Sequence, residues 1–357
     1  MRRFFSCLFL FFLTLTICFG CANPSSSPGT SDGDGNGSGE ESEEIDLKGM
    51  EQLLQDPLFE QGIGVKATST TISTDVIRNF DYGQTAIGEP AWTLGQWGQI
   101  CKKWPGLTDE QKNEEIKRHD LTLATETEKN GTYRYSSASG SKVISVKKGK
   151  GEATLRLETS LEYQEHPREN GWDWPHMLLE QQLAEQKLSD LAHLYYEVEF
   201  TLDECTKKMT DAEYQKNLHT VQLLWTSTLK NCNPDKPGDM MWLNLKFYDA
   251  RYLVPPFYAA ADSGKDTASQ KFIYTPAGDE FMETPVRVGE RQNLLIDALP
   301  FMKEAFVLAQ ARGYLKGLEF SDLTVGSAIF GFEVPGTYDA QVTLHKIGVY
   351  VDRKETA

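Results

Sequence analysis

The stretch MWLNLKFYD, Met241 to Asp249, decides the fold because its side chains alternate in character at every step. Leu243, Leu245 and Phe247 fall on one side of an extended chain, and Trp242, Asn244, Lys246 and Tyr248 fall on the other. A period of two with one apolar side is the signature of a strand whose one face is buried and whose other face is free to carry chemistry. The chain then runs through ARYLVPPFY to Tyr258, where Pro255 and Pro256 remove backbone donors and stiffen the following loop.

The same period recurs in TYRYSS, SKVISVKK, EATLRLETSLEY, LYYEVEFTL, HTVQLLWTS, RQNLLIDAL, SAIFGFEV and QVTLHKIGVYV. Many short strands separated by turn residues predict an all-β fold, an antiparallel jelly-roll β-sandwich with a few peripheral helices. Two segments depart from the pattern. TDEQKNEEIKRHD starts with Thr108 and Gln111 in a capping-box relation but carries only Ile116 as a firm apolar residue, so it reads as a solvated helix. LPFMKEAFVLAQARGYL has Asp297 as a cap and Phe301, Ala305, Phe306, Leu308 and Ala309 as a buried face, which suits a helix covering an end or edge of the sandwich.

At the N-terminus, MRRFFSCLFLFFLTLTICFGC places two arginines before an apolar run that ends in Gly20 and Cys21. This is the anatomy of a bacterial secretory signal. The Gly-Cys ending resembles the lipobox of lipoproteins, although Cys18 and Phe19 stand where Leu and a small residue are usual. The resemblance implies that Cys21 is acylated and becomes the new N-terminus; an ordinary signal peptide or an uncleaved anchor is the alternative. The segment that follows, NPSSSPGTSDGDGNGSGEESEEID, has almost nothing apolar to bury and reads as a disordered acidic tether. The chain is therefore read as a signal peptide at 1–20, an acylated Cys with its linker at 21–48, and one β-sandwich domain with N-terminal elaborations at 49–357. A split near residue 150 is the alternative. The expected place is the bacterial cell envelope, lipid-anchored and either periplasmic or surface-exposed.

With 36 basic against 52 acidic residues the formal charge is -16, and no basic stripe stands out. Nucleic acid is therefore not an expected partner, and the membrane is reached only through the lipid anchor. Beyond Cys21 the cysteines are Cys101, Cys205 and Cys232, without the C-x-x-C spacing of a zinc or redox site. Cys205 and Cys232 follow two apolar runs and are candidates to pair in an exported protein, which leaves one cysteine over. The histidines form no H-E-x-x-H or H-x-H pair, so no metal site can be argued from local spacing, and no cofactor is predicted.

Polar sets appear on other strands as well. Thr154, Arg156, Glu158 and Ser160 alternate with Leu155 and Leu157; Thr220, Gln222 and Thr226 alternate with Val221, Leu223 and Trp225; Ser327, Gly331 and Glu333 alternate with Phe330, Phe332 and Val334. If these strands share a sheet with Met241–Asp249, one surface carries Arg156, Glu158, Gln222, Trp242, Asn244, Lys246, Tyr248 and Glu333. Such a surface suits a sugar, since planar amides, carboxylates and guanidinium groups match hydroxyls while aromatic rings cover the apolar face of a pyranose. The plain alternative is the wet face that any antiparallel sheet presents.

A second cluster lies in GWDWPHMLLEQ, where Trp172, Trp174, His176 and Glu180 share one side of an extended chain. Trp174 is a candidate sugar platform with His176 and Glu180 as a polar pair at its edge; alternatively Trp174-Pro175 anchors a loop and His176 belongs to the core. Past the central strand, Asp249 and Arg251 are spaced to pair across the turn, and Tyr252, Phe257, Tyr258 and Tyr274 are candidates for an aromatic rim.

From about residue 130 to 351, the succession of alternating strands closing in GTYDAQVTLHKIGVYV resembles jelly-roll carbohydrate-active proteins of concanavalin-A-like or galactose-binding-like type. The resemblance implies a polysaccharide or oligosaccharide partner. Lyases among these proteins carry an R-x-E strand, a strand with Gln and His, and a strand with Lys and a following Tyr. Here RLE supplies Arg156 and Glu158, HTVQLLW supplies Gln222, and LKFY supplies Lys246 and Tyr248. His219 lies three residues before Gln222, which turns it to the other face of a regular strand.

If the chain is a lyase, the resemblance implies catalysis by Tyr248, Lys246, Gln222 and Arg156, with Tyr248 or a nearby His removing the proton beside a uronic carboxylate and Arg156 and Gln222 neutralising the charge that develops. Glycoside hydrolysis needs two carboxylates across the bond. The glucanase-type E-x-D-x-x-E strand is absent from the sequence, so Glu180 and Glu333 from separate strands are the candidates. Three functions thus stand: glycan binding on the polar face, lyase or hydrolase chemistry on that face, and a structural or adhesive envelope lipoprotein with a protein partner. A concave groove would favour the first two and a flat, occluded patch the third.

Overall fold

The computed structural model describes residues 45–68, 75–84, 89–98, 104–164, 166–236, 239–263 and 268–355. The expected signal peptide, Cys21, most of the acidic segment after it and Cys101 lie outside these residues. From Leu47 onward the chain forms one compact unit.

Strands β1 (Glu51–Gln52), β2 (Ile63–Lys66), β3 (Val76–Phe80) and β4 (Trp92–Gly95) precede helix α1 (Asp109–Arg118). Four strands follow, β5 (Thr125–Lys129), β6 (Thr132–Ser136), β7 (Lys142–Lys147) and β8 (Glu152–Glu158), and then helix α2 (Thr159–Tyr163). Next come β9 (His176–Lys187), β10 (Leu191–Lys207), β11 (Gln222–Asn231), β12 (Met240–Asp249), β13 (Tyr258–Ala261), β14 (Phe272–Thr275) and β15 (Arg291–Asp297). Helix α3 (Ala298–Ala311), β16 (Leu323–Glu333) and β17 (Tyr338–Arg353) complete the order.

The strands form two sheets. The first runs β15-β10-β17-β8-β7-β6-β5, with β1 on β17, and the second runs β13-β14-β12-β11-β16-β9-β4-β2-β3. From β8 to β11 and again from β14 to β17 the chain passes back and forth between the sheets, which makes this a jelly-roll sandwich rather than two meanders. Pairing is antiparallel except for β12 with β14 and β2 with β4, which run parallel.

Alternation builds the core as the sequence predicts. Leu243, Leu245, Phe247, Val221, Leu223 and Trp225 are fully enclosed. Trp225 stacks on Tyr196 at 4.7 Å between centroids, and the Tyr196 hydroxyl reaches Ser227 at 2.7 Å. Phe200 and Phe247 meet across the sheets at 5.2 Å. Each such side chain contributes about 1.5–3 kcal/mol by leaving water. All the residues of this main cluster lie between Leu53 and Val351, so the compact unit contains its own core.

The helices sit as their sequences require. In α1 the Thr108 hydroxyl accepts from the Gln111 backbone, Gln111 returns the bond, and no residue is buried. In α3 the Asp297 carboxylate accepts from Leu299, while Ala305, Phe306 and Ala309 are joined in the buried face by Met302. Helix α3 packs on β10 of the first sheet and β12 of the second and so bridges the two layers.

Two expectations change. The alternation of EATLRLETSLEY stops at Glu158, because Thr159 turns inward, donates to the carbonyls of Gly336 and Tyr338, and starts α2. Ser160 therefore belongs to a helix rather than to the polar row of β8. Cys205 and Cys232 are both free and half-buried, so they do not pair.

Candidate functional site

Strand register arranges the outer face of the second sheet in rows that run across the strands. The first row is His176 of β9, Glu333 of β16, Gln222 of β11 and Asp249 of β12. The second is Gly95, Leu178, Gly331, Leu224 and Lys246. In the third, Thr93 of β4, Glu180, Ile329, Thr226 and Asn244 stand side by side. Thr228, Trp242, Ile273 and Ala260 make the fourth. Six of the residues singled out from sequence (Gln222, Trp242, Asn244, Lys246, Glu333 and His176) thus meet on one face, and Glu180 joins them.

Asp249 is the hub of the first row. Its side chain is 1% exposed and accepts from the Thr220 hydroxyl at 2.7 Å, the Gln222 amide at 3.3 Å and the Arg251 guanidinium at 2.6 and 2.8 Å. Lys246 stands 3.7 Å away. Burial alone would raise the Asp249 pKa, but Arg251, Lys246 and Thr220 together hold it below the usual carboxylate value. Burial moves Lys246 the other way, below the usual ammonium range, with Arg251 adding to the effect and Asp249 and Glu333 opposing it. The pairing of Asp249 with Arg251 follows the sequence reading; its grip on Gln222 and Lys246 does not show in sequence.

Toward β4 the charges continue. The His176 ring reaches Glu333 at 3.0 Å through Nε2, while its Nδ1 is buried without a hydrogen-bond partner. Glu180 is 4% exposed and forms a hydrogen-bonded ion pair with Lys66 of β2. It lies over Gly95, where an added Cβ would come within 2.5 Å of its Oε1. Burial raises the Glu180 pKa against the pull of Lys66 and His176. The Trp97 ring stands between them, edge-on to His176 at 5.9 Å and under the Lys66 ammonium at 5.6 Å. Lys66 and Trp97 carried no signal in the sequence, because their partners lie far away along the chain.

Trp174 behaves as a loop anchor. Its carbonyl packs on Gly98, which has φ +96, and an added Cβ there would come within 2.4 Å of that oxygen. The Arg168 guanidinium stands 5.6 Å from the Trp174 ring centroid, and Trp172 belongs to a separate small cluster with Trp104 and Tyr163. His176 is both buried and part of the polar row, so the two sequence readings of this residue meet.

Three residues do not join the face. Arg156 and Glu158 lie on β8 in the first sheet, paired with each other on its outer side opposite Gln341 and Asp339. Alternation places a side chain inside or outside its own sheet and is silent about which sheet that is. Tyr248 is the third. Leu223 pairs with Tyr248 and Leu224 with Lys246, so Phe247 is an extra residue and β12 bulges there. The bulge lets Tyr248 follow Phe247 inward, where it packs on the core and exchanges a hydrogen bond with Cys205. Burial pushes the Tyr248 phenol up and the Cys205 thiol up to about 11. A half-buried phenol whose pKa is raised stays protonated and is a poor proton acceptor. Tyr248→Phe should therefore leave glycan affinity within about twofold of the parent, in line with the small effect of changes away from a binding surface, as read by affinity electrophoresis.

Exposure divides the face. The first two rows are mostly enclosed, Gln222 at 6%, Lys246 at 8% and Leu224 at 2%. Trp242, Asn244, Thr226, Thr228 and Glu333 remain half-exposed, and the Thr226 hydroxyl donates to the Asn244 amide oxygen at 2.9 Å. Beside them Phe257 and Tyr258 are exposed at 48% and 43%, whereas Tyr274 is buried beneath Phe257. A cleft of about 600 Å³ lined by Asp239, Met240, Gln270, Lys271 and Tyr314 opens beyond the fourth row. Among the described residues no three His, Cys, Asp or Glu side chains gather as a metal site, and no helix is long and apolar enough to cross a membrane.

No protein-family model and no curated protein matches the chain. Solved structures show similarity at low identity. A thermostable cellulase derived from Cel12A of Rhodothermus marinus is 15% identical, with 62% of this chain and 92% of that chain covered and a TM-score of 0.36. A family 12 xyloglucanase from Bacillus licheniformis is 13% identical over 64% of this chain and 96% of that one, TM-score 0.34. The xyloglucanase domain of NopAA from Sinorhizobium fredii, in complex with cellobiose, is 12% identical over 64% and 96%, TM-score 0.33.

Proposed function

We propose that the protein binds a glycan on the outer face of its second sheet, as an exported, lipid-tethered component of the bacterial cell envelope. The observation that carries this reading is the placement of Trp242, Asn244 and Thr226 as half-exposed side chains on adjoining rows of one sheet, with Glu333 half-exposed on the first row of the same face. Next to them along the same strands, Asp249 fixes the first two rows through Gln222, Arg251 and Lys246. A ring, an amide and a hydroxyl side by side suit the apolar face and the hydroxyls of one pyranose, and the Glu333 carboxylate stands where a further unit of a chain would reach. Rigidity lowers the ordering cost of binding.

The carboxylates favour binding over hydrolysis. Glu180 pairs in register with Ile329, four positions from Glu333, which is roughly 13 Å along a strand at about 3.3 Å per residue. The Glu180 carboxylate turns toward Lys66 and that of Glu333 toward His176. Asp249 lies beyond Gln222 from Glu333 and is enclosed by its donors. The lyase reading loses Arg156 to the other sheet and Tyr248 to the core side of β12, where it is half-buried.

The test is retention of the unit from Leu47 onward in gels containing polysaccharide. Trp242→Ala should weaken retention about tenfold or more, the range expected when an aromatic hot spot of roughly 1.4 kcal/mol or above is truncated. Retention unchanged in a folded Trp242→Ala protein, or no retention on a broad panel, would move the reading to an envelope protein with a protein partner.

A further inference from the structure

We infer that the glycan this face takes is uncharged, a neutral hexose or pentose polymer rather than a polyuronate or sulfated chain. The inference rests on the glycan-binding reading and deepens it. Its ground is the charge pattern of the face. Lys66 is held by Glu180, and Lys246 and Arg251 are both held by Asp249. Further along β11, Lys230 is held by Glu185 at 2.9 Å. Each of these cations already has a carboxylate partner from the protein itself, so none can receive a ligand carboxylate or sulfate without breaking a pair.

Moreover, the first row carries a half-exposed carboxylate, Glu333, whose side chain is 20% exposed and which also lies near Lys246. An acidic sugar chain running from Trp242 and Asn244 toward the first row would meet the Glu333 carboxylate there, with Lys246 enclosed beside it. Lys246 and, on β2 three strands away from Glu333, Lys66 are each only 8% exposed. The surrounding molecule, at a formal charge of -16, repels polyanions over longer range. Like charges brought together at a binding surface cost enough to exclude a partner. The sugar hydroxyls, in contrast, are served by Asn244, Thr226 and Thr228, which are neutral at any pH the fold survives.

The experiment compares the unit from Leu47 onward on four probes: mixed-linkage glucan and glucomannan as neutral chains, polygalacturonate and alginate as anionic ones, at low and at 0.5 M salt. Expected is retention by at least one neutral chain and none by the anionic pair. Glu333→Gln should leave the fold intact by circular dichroism and raise retention on an anionic chain about tenfold at low salt, and the gain should vanish at high salt as screening takes over. Glu180→Gln, which releases Lys66, should act in the same direction. Retention by alginate or polygalacturonate equal to or stronger than by the neutral chains would overturn the inference while leaving glycan binding in place. Silence on all four probes would remove both.

Discussion

Asp249→Ala should destabilise the fold by about 3–5 kcal/mol, the cost expected when one member of a buried charge cluster is removed and its partners are left enclosed. The substitution leaves Lys246, the Arg251 guanidinium, the Gln222 amide and the Thr220 hydroxyl without their shared acceptor. Chemical denaturation checks the magnitude, and the pH dependence checks the cause. The folded pKa of Asp249 lies below its ordinary 3.8. Its contribution is therefore fully present above that value and is lost as the pH falls through the lower folded value. In Asp249→Asn this part of the acid limb should disappear. If the parent and the Asn variant lose stability in parallel below pH 4, the carboxylate is not the hub that the geometry makes it. Loss of the hub should also loosen the loop that begins at Arg251, since the guanidinium stands 5.4 Å from the Tyr252 ring centroid.

Gly331→Ala should be nearly as damaging, by about 4 kcal/mol, in the tail of point mutations that have a specific structural fault. Gly331 sits in the middle of β16 with φ +150, and a Cβ there would fall 2.1 Å from the Met177 carbonyl oxygen of β9. The neighbouring strand would have to move, and His176 and Glu180 would move with it. Gly289 provides the control, because it has φ +82 but nothing within 4 Å. Gly289→Ala should cost only the backbone term, roughly 1–2 kcal/mol. A urea midpoint for Gly331→Ala no lower than that of Gly289→Ala would show that β9 and β16 tolerate the closer approach.

What was legible in the sequence follows from period. A strand has two sides, and Leu243, Leu245 and Phe247 against Trp242, Asn244 and Lys246 assigned them without reference to anything else in the chain. Helix caps were equally local: Thr108 with Gln111 and Asp297 with Leu299 act within one turn. The same locality explains the failures. Tyr248 obeys the alternation on paper, but one extra residue in β12 reverses its side, and a bulge exists only relative to the partner strand. Ser160 continues the pattern of β8 until Thr159 finds carbonyls at Gly336 and Tyr338, which the sequence separates by more than a hundred residues.

The sequence by itself determined that the chain is a β-sandwich with one enclosed and one chemically furnished side to each strand, because burial of alternate side chains is a property of single segments. Only the tertiary structure decided which furnished sides share a sheet. Arg156 and Glu158 carry the same alternating pattern as Gln222 and Lys246 yet lie on the opposite layer, while Lys66 and Trp97 join Glu180 and His176 from the far side of the second sheet. Strand order and register are set by the packing of the whole core, and no periodicity within one strand records them.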